Sequence, residues 1–132
     1  MVPRGTPTTS ELSIRLRYPP DVHAPGAARH AVRDLCHDIL NATMCDDVEL
    51  LTSELVTNAC RVSSDTITVT VTAHSDGVQV SVADDDPYGV PREIRPVALA
   101  ESGRGLQLLE AVAGSWGIDH AAAGKTVWFQ LP

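Results

Sequence analysis

The sequence predicts an α+β domain: a two-layer sandwich with a mixed, mostly antiparallel sheet and helices on one face. Three observations carry this expectation. Residues 66–84 ("TITVTVTAHSDGVQVSVAD") are two alternating β-branched runs around Ser75-Asp76-Gly77, a hairpin with glycine where φ must be positive. Residues 24–62 hold two successive stretches of helical periodicity with no strand between them. The element order, β, α, α, β, β, loop, α, β, β, lacks the strict β–α alternation of a doubly wound fold.

The elements follow in chain order. Residues 1–10 ("MVPRGTPTTS") read as a disordered tail, and residues 11–132 as one domain. "ELSIRLRYP" (11–19) alternates Leu12, Ile14, Leu16 and Tyr18 against Ser13, Arg15 and Arg17, a half-buried strand ended by Pro19-Pro20. Residues 24–42 place Ala28, Ala31, Val32, Leu35 and Ile39 at helical spacing, with Pro25 suited to the first turn. The second helix, 46–62, is expected to start on Asp46 and Asp47, which suit a helix N-terminus. Residues 85–102 hold three prolines and no clean period, a long loop of the kind usually kept for function. "GRGLQLLEAVAGSWG" (103–117) opens on glycines and becomes an amphipathic helix that Gly117 can stop. "GIDHAA" and "KTVWFQLP" close the chain as two strands.

Composition narrows the function. The net charge is −7 with no basic cluster, which argues against direct nucleic-acid binding. No apolar run approaches the ~20 residues that span a bilayer. The three cysteines, Cys36, Cys45 and Cys60, form no C-x-x-C and read as small buried side chains in a reducing cytoplasm. His23, His30 and His37 recur every seven residues, the wrong spacing for two metal ligands one turn apart, and read as an exposed or partner-facing stripe.

Three separated features carry chemistry. On the second helix Glu54, Asn58 and Arg61 fall within an arc of roughly 60°, beside the apolar stripe of Leu51, Leu55, Ala59 and Val62. They form either a boundary stripe reaching water or the floor of a cleft. "VSVADDDP" (80–87) runs an apolar strand into three acids, so the Asp84 carboxylate sits where the sheet opens and needs a donor, which a ligand amine can supply. "SGRGL" (102–106) places two glycines ahead of a helix N-terminus, where backbone N–H groups bind anions.

In this order and approximate spacing the features resemble the GHKL ATPase superfamily. Within it they look like the single-domain bacterial serine/threonine kinases that act as anti-sigma factors. "ELVTNA" (54–59) is close to that subgroup's N box, "GRGLQLLEAVAGSWG" to its second glycine box, and "GKTVWFQL" (124–131) to its closing strand. The resemblance implies the Bergerat fold and the cofactors ATP and Mg²⁺. It implies that Asn58 holds Mg²⁺ and that Glu54 is the general base. Arg61 and Arg104 would contact phosphates, and Gly103, Gly105 and the Leu106 N–H would cradle them. Asp84 would accept from the adenine amino group, Thr126 would support that side, Asp86 would shape the first glycine-box turn, and residues 85–102 would be the ATP lid. The partner implied is a sigma factor, an anti-sigma antagonist, or both, with a homodimer as a further possibility. The first glycine box usually reads D-x-G-x-G; here Asp84-Asp85-Asp86-Pro87-Tyr88 has neither glycine. That departure supports the alternative, a catalytically weak or inactive module that sequesters a regulatory partner. A histidine-kinase module acting in trans is a third reading; it expects a dimerisation helix with a phosphoacceptor histidine ahead of the domain, which residues 1–23 do not suggest, and leaves His30 and His37 as the histidines to consider.

Overall fold

The structure is a computed structural model that describes residues 12–63, 65–74, 77–85, 111–121 and 124–131. The described elements are β1 (Leu12–Tyr18), α1 (Ala24–Cys36), α2 (Ala42–Val62), β2 (Ile67–His74), β3 (Gly77–Ala83), β4 (Ser115–Ala121) and β5 (Gly124–Leu131). The five strands form one sheet in the order β1-β2-β3-β5-β4. Every described pairing is antiparallel. The expected α+β architecture is therefore the observed one.

Alternation decides which sheet face is buried. Val69, Val71, Val78, Val80, Val82, Val127, Phe129 and Leu131 all lie inward. The chain's single phenylalanine, Phe129, is fully buried among them. The other face carries Thr70, Ser81 and Trp128 in one cross-strand row. The β2–β3 hairpin turns through Gly77 at φ 143°, the positive value its position required.

α1 buries Ala24, Ala28, Val32 and Cys36, small side chains that let it lie close against α2. It ends at Cys36, earlier than the apolar spacing through Ile39 implied. The N–H groups of Ile39 and Leu40 both turn back to the Cys36 carbonyl, at 3.0 and 2.9 Å. α2 starts earlier than expected, at Ala42. Asn41 is its cap, accepting the Met44 N–H at 2.9 Å, so Asp46 and Asp47 lie inside the helix and do not cap it. Cys36 and Cys45 are buried free thiols, and Cys60 is half-buried. His23, His30 and His37 are exposed.

Gly117 does not stop a helix. It lies in β4 opposite Trp128, and a Cβ there would come within 2.8 Å of the indole ring. The glycine makes room for a tryptophan lying across the outer face of the sheet. Residues 1–11, Asp86, residues 87–102 and the phosphate-loop candidates Gly103, Arg104, Gly105 and Leu106 lie outside the described residues.

Candidate functional site

α2 positions the first part of the site. It is buried on more of its circumference than a surface helix, because it meets both the sheet and α1. Glu54 and Asn58, one turn apart, are 9% and 8% exposed, whereas Arg61 in the last turn is exposed. The polar trio therefore divides: two members are enclosed and the third reaches solvent.

Asn58 carries the informative defect. Both its Oδ1 and its Nδ2 are buried with no hydrogen-bond partner. Buried amides are almost always satisfied, and an orphaned one costs free energy. A buried amide held in that state has both an acceptor and a donor left to offer a ligand. Its oxygen matches a hard cation that prefers oxygen donors.

The second part of the site lies at the C-terminal end of β3. The Asp84 side chain is 1% exposed, and its donor comes from within the protein. Lys125 on β5 donates twice, from its backbone N–H to Oδ1 at 3.2 Å and from its Nζ to Oδ2. The Asp84 N–H in turn donates to the Lys125 carbonyl at 2.9 Å. Gly124, at φ +152°, permits this approach: a Cβ there would stand 2.1 Å from the Asp84 carbonyl oxygen.

Asp85 joins the two parts. Its Oδ2 accepts the N–H groups of Asp65 and Thr66, both at 2.8 Å, and its own N–H donates to Ser63 Oγ at 3.3 Å. Ser63 is the C-cap of α2. The end of the helix bearing Glu54 and Asn58 is thus fastened to the strand end bearing Asp84. Asn58 lies five residues before that cap, about 7.5 Å along the helix axis.

Thr126 is not brought to this cluster. It pairs with Ala83 in the β3–β5 register, and the inward positions on either side of it are Lys125 and Val127. Its side chain belongs to the outer face of the sheet. Lys125 stands where Thr126 was expected. The signal was present in the sequence: Val127, Phe129 and Leu131 point inward, so Lys125 does too, and a buried ammonium requires an acid. Asp85 was read as one of three consecutive acids and as the first residue of the lid, and its role as a loop clamp has no local signature. Among the described residues no group of histidine, cysteine or acidic side chains is arranged to hold a metal ion.

A second charged cluster lies apart from this one, between the helices. Glu49 is buried on α2 and accepts from Arg33 Nε at 2.9 Å and Arg29 Nε at 3.4 Å on α1. The Arg33 hydrogen bond, opposed by burial and helped by the charges of both arginines, holds the Glu49 carboxyl below its usual range. Burial, with smaller effects from Cys45 and Glu49, pushes the Cys36 thiol up to about 11, so it is an inert core group.

Residues 18–131 match the model of the histidine kinase-like ATPase domain. The chain belongs to that family. No curated protein sequence matches this ATPase domain significantly. Among solved structures it is similar to a Mycobacterium tuberculosis chain comprising RsbU and RsbW domains, with a TM-score of 0.70 and 22% identity. The match covers 91% of this ATPase domain and 32% of that longer chain, and at this identity it speaks for the fold. The resemblance to GHKL ATPases read from the motifs is thus borne out for family and fold.

Proposed function

We propose that this domain is an ATP-binding regulator of the anti-sigma kinase type. It binds ATP with Mg²⁺ and acts on a sigma factor, an anti-sigma antagonist, or both. The observation that carries the reading is the orphaned buried amide of Asn58 in a chain of the ATPase family. Asn58 Oδ1 would hold Mg²⁺, which would supply charge neutralisation at the triphosphate. Arg61 and Arg104 add positive charge at the phosphates, and the backbone of Gly103, Gly105 and Leu106 cradles them. Asp86 would shape the turn after Asp84, and residues 85–102 would serve as the lid over the nucleotide. Glu54 accepts the proton of an attacking Ser or Thr hydroxyl as the γ-phosphoryl passes to that oxygen and ADP leaves. Such a transfer needs positioning and charge neutralisation more than covalent help from the protein, so few side chains suffice.

A second reading, a partner-sequestering module with weak or no catalysis, is favoured by the glycine-free Asp84–Tyr88 segment. Calorimetric titration with ATP·Mg²⁺ and with ATP plus EDTA separates the two. The regulator reading expects saturable binding that weakens when the cation is removed. It also expects Glu54→Gln to keep that binding while losing phosphate transfer to the antagonist protein. A native protein that takes up no ATP in either buffer leaves only the sequestering module.

A further inference from the structure

We propose that the cavity between the end of α1 and the start of α2 binds a small zwitterion with an apolar side group, an α-amino acid by chemical class. Its volume is about 320 Å³, at the small end of the range of ligand sites. Asp46, at its wall, lies twelve residues before Asn58 on the same helix, about 18 Å along the axis. The cavity is therefore separate from the candidate nucleotide site, and its test does not depend on the nucleotide reading.

Two opposite charges line this cavity without meeting. Arg33 comes from α1 and Asp46 from α2. The Arg33 guanidinium is held above its usual range first by the Glu49 hydrogen bond and charge, then by the charges of Asp46 and Asp34, so Asp46 lies within electrostatic reach. Among the described residues, however, no ion pair joins Arg33 to Asp46. Glu49 fixes Arg33 through Nε, at 2.9 Å, and the terminal N–H groups of the guanidinium keep their donors for another acceptor. Both oxygens of Glu49 are engaged, because the other accepts from Arg29 Nε at 3.4 Å. His37 stands at the wall too, with its Nδ1 already on Asp38 at 3.1 Å.

Arg29 and Arg33 together balance Glu49 and Asp46, so the walls carry no net sign. A plain anion would meet the Asp46 charge, and a plain cation would meet that of Arg33. A ligand with both charges on one carbon can offer its carboxylate to Arg33 and its ammonium to Asp46. The remaining wall is Leu40, Ala42 and Cys45. The Cys45 thiol gives its hydrogen to the Cys36 carbonyl at 3.2 Å, so this side makes no polar demand on the ligand and suits an aliphatic group. The Arg33 side chain is 55% exposed, so water screens the charged contacts and the site is a weak one, with a Kd of about 1 mM.

The probe is free leucine, titrated without nucleotide into the isotope-labelled full chain and followed by amide chemical shifts. Leucine should move residues 33–49 along one saturable curve. N-acetyl-leucine lacks the ammonium, leucinamide lacks the carboxylate and glycine lacks the side group; each should bind about tenfold more weakly. Asp46 is exposed, so Asp46→Asn should keep the fold, which the same spectra report. That variant should lose about tenfold in affinity for leucine and nothing for N-acetyl-leucine. The proposal is overturned if leucine gives no saturable shift up to about 20 mM, or only shifts outside residues 33–49. Equal binding of leucine and its singly charged analogues overturns it as well. So does a folded Asp46→Asn that binds leucine as the native protein does.

Discussion

Replacing Asn58 by alanine should make the nucleotide-free protein more stable and the nucleotide-bound protein less so. The amide has no partner for either polar atom, and the residue is 8% exposed. A buried polar group left unsatisfied costs about 1–3 kcal/mol, which alanine removes. Asn58 lies within a helix, where alanine is better than asparagine by roughly 0.6 kcal/mol. Against these stand the packing contacts of the lost amide, about 1 kcal/mol for so small a group. The sum is a gain of roughly 1–2 kcal/mol, or about 3–8 °C in Tm for a domain of this size. With ATP·Mg²⁺ at about a hundred times its Kd, ligand binding adds about 2.7 kcal/mol to the native protein. The variant, lacking the cation's oxygen ligand, gains little of this. The two melting curves should therefore cross: Asn58→Ala melts higher without nucleotide and lower with it. Differential scanning fluorimetry across an ATP·Mg²⁺ series reads both arms. An alanine variant that melts below the native protein without ligand, and shifts equally with it, would refute the reasoning.

Other perturbations follow from the same geometry. Thr52 Oγ1 is buried and unpartnered, so Thr52→Val, which preserves its shape, should raise stability by about 1 kcal/mol in chemical denaturation without changing ATP affinity. Gly124→Ala should destabilise by about 2–4 kcal/mol, because its Cβ would meet the Asp84 carbonyl oxygen at 2.1 Å at a φ of +152°; a native-like urea midpoint would contradict this. Glu49, held below its usual range first by the Arg33 hydrogen bond, releases its proton more readily folded than unfolded. Its stabilisation is therefore whole above the unfolded carboxyl value of about 4.3 and is lost as pH falls through the folded one. Urea melts between roughly pH 6 and 3 should show Glu49→Gln flattening that acid limb.

The hairpin and the α+β order were legible because alternation and a turn glycine act over a few residues. Helix ends were harder to read. Asp46-Asp47 and Asn41 are both good caps, and the winner was decided by how the chain leaves Cys36, where two N–H groups share one carbonyl. Gly117 misled because glycine serves both to stop helices and to admit a neighbour's side chain, and Trp128 is eleven positions away. Within the site, the register of Glu54 and Asn58 could be read from helical spacing, but their enclosure could not. That enclosure depends on α2 being covered from two directions. Lys125 looked like one more residue of a closing strand until Asp84, forty-one positions earlier, stood beside it.

Asp85 ties the end of α2 to the end of β3. One carboxylate holds two consecutive amides of the segment leaving α2, so the helix and the neighbouring strand end cannot drift apart without breaking both bonds. Deuterium uptake at residues 65 and 66 thus becomes a gauge of that junction: while those amides stay protected, the end of the helix and the end of the strand have not separated.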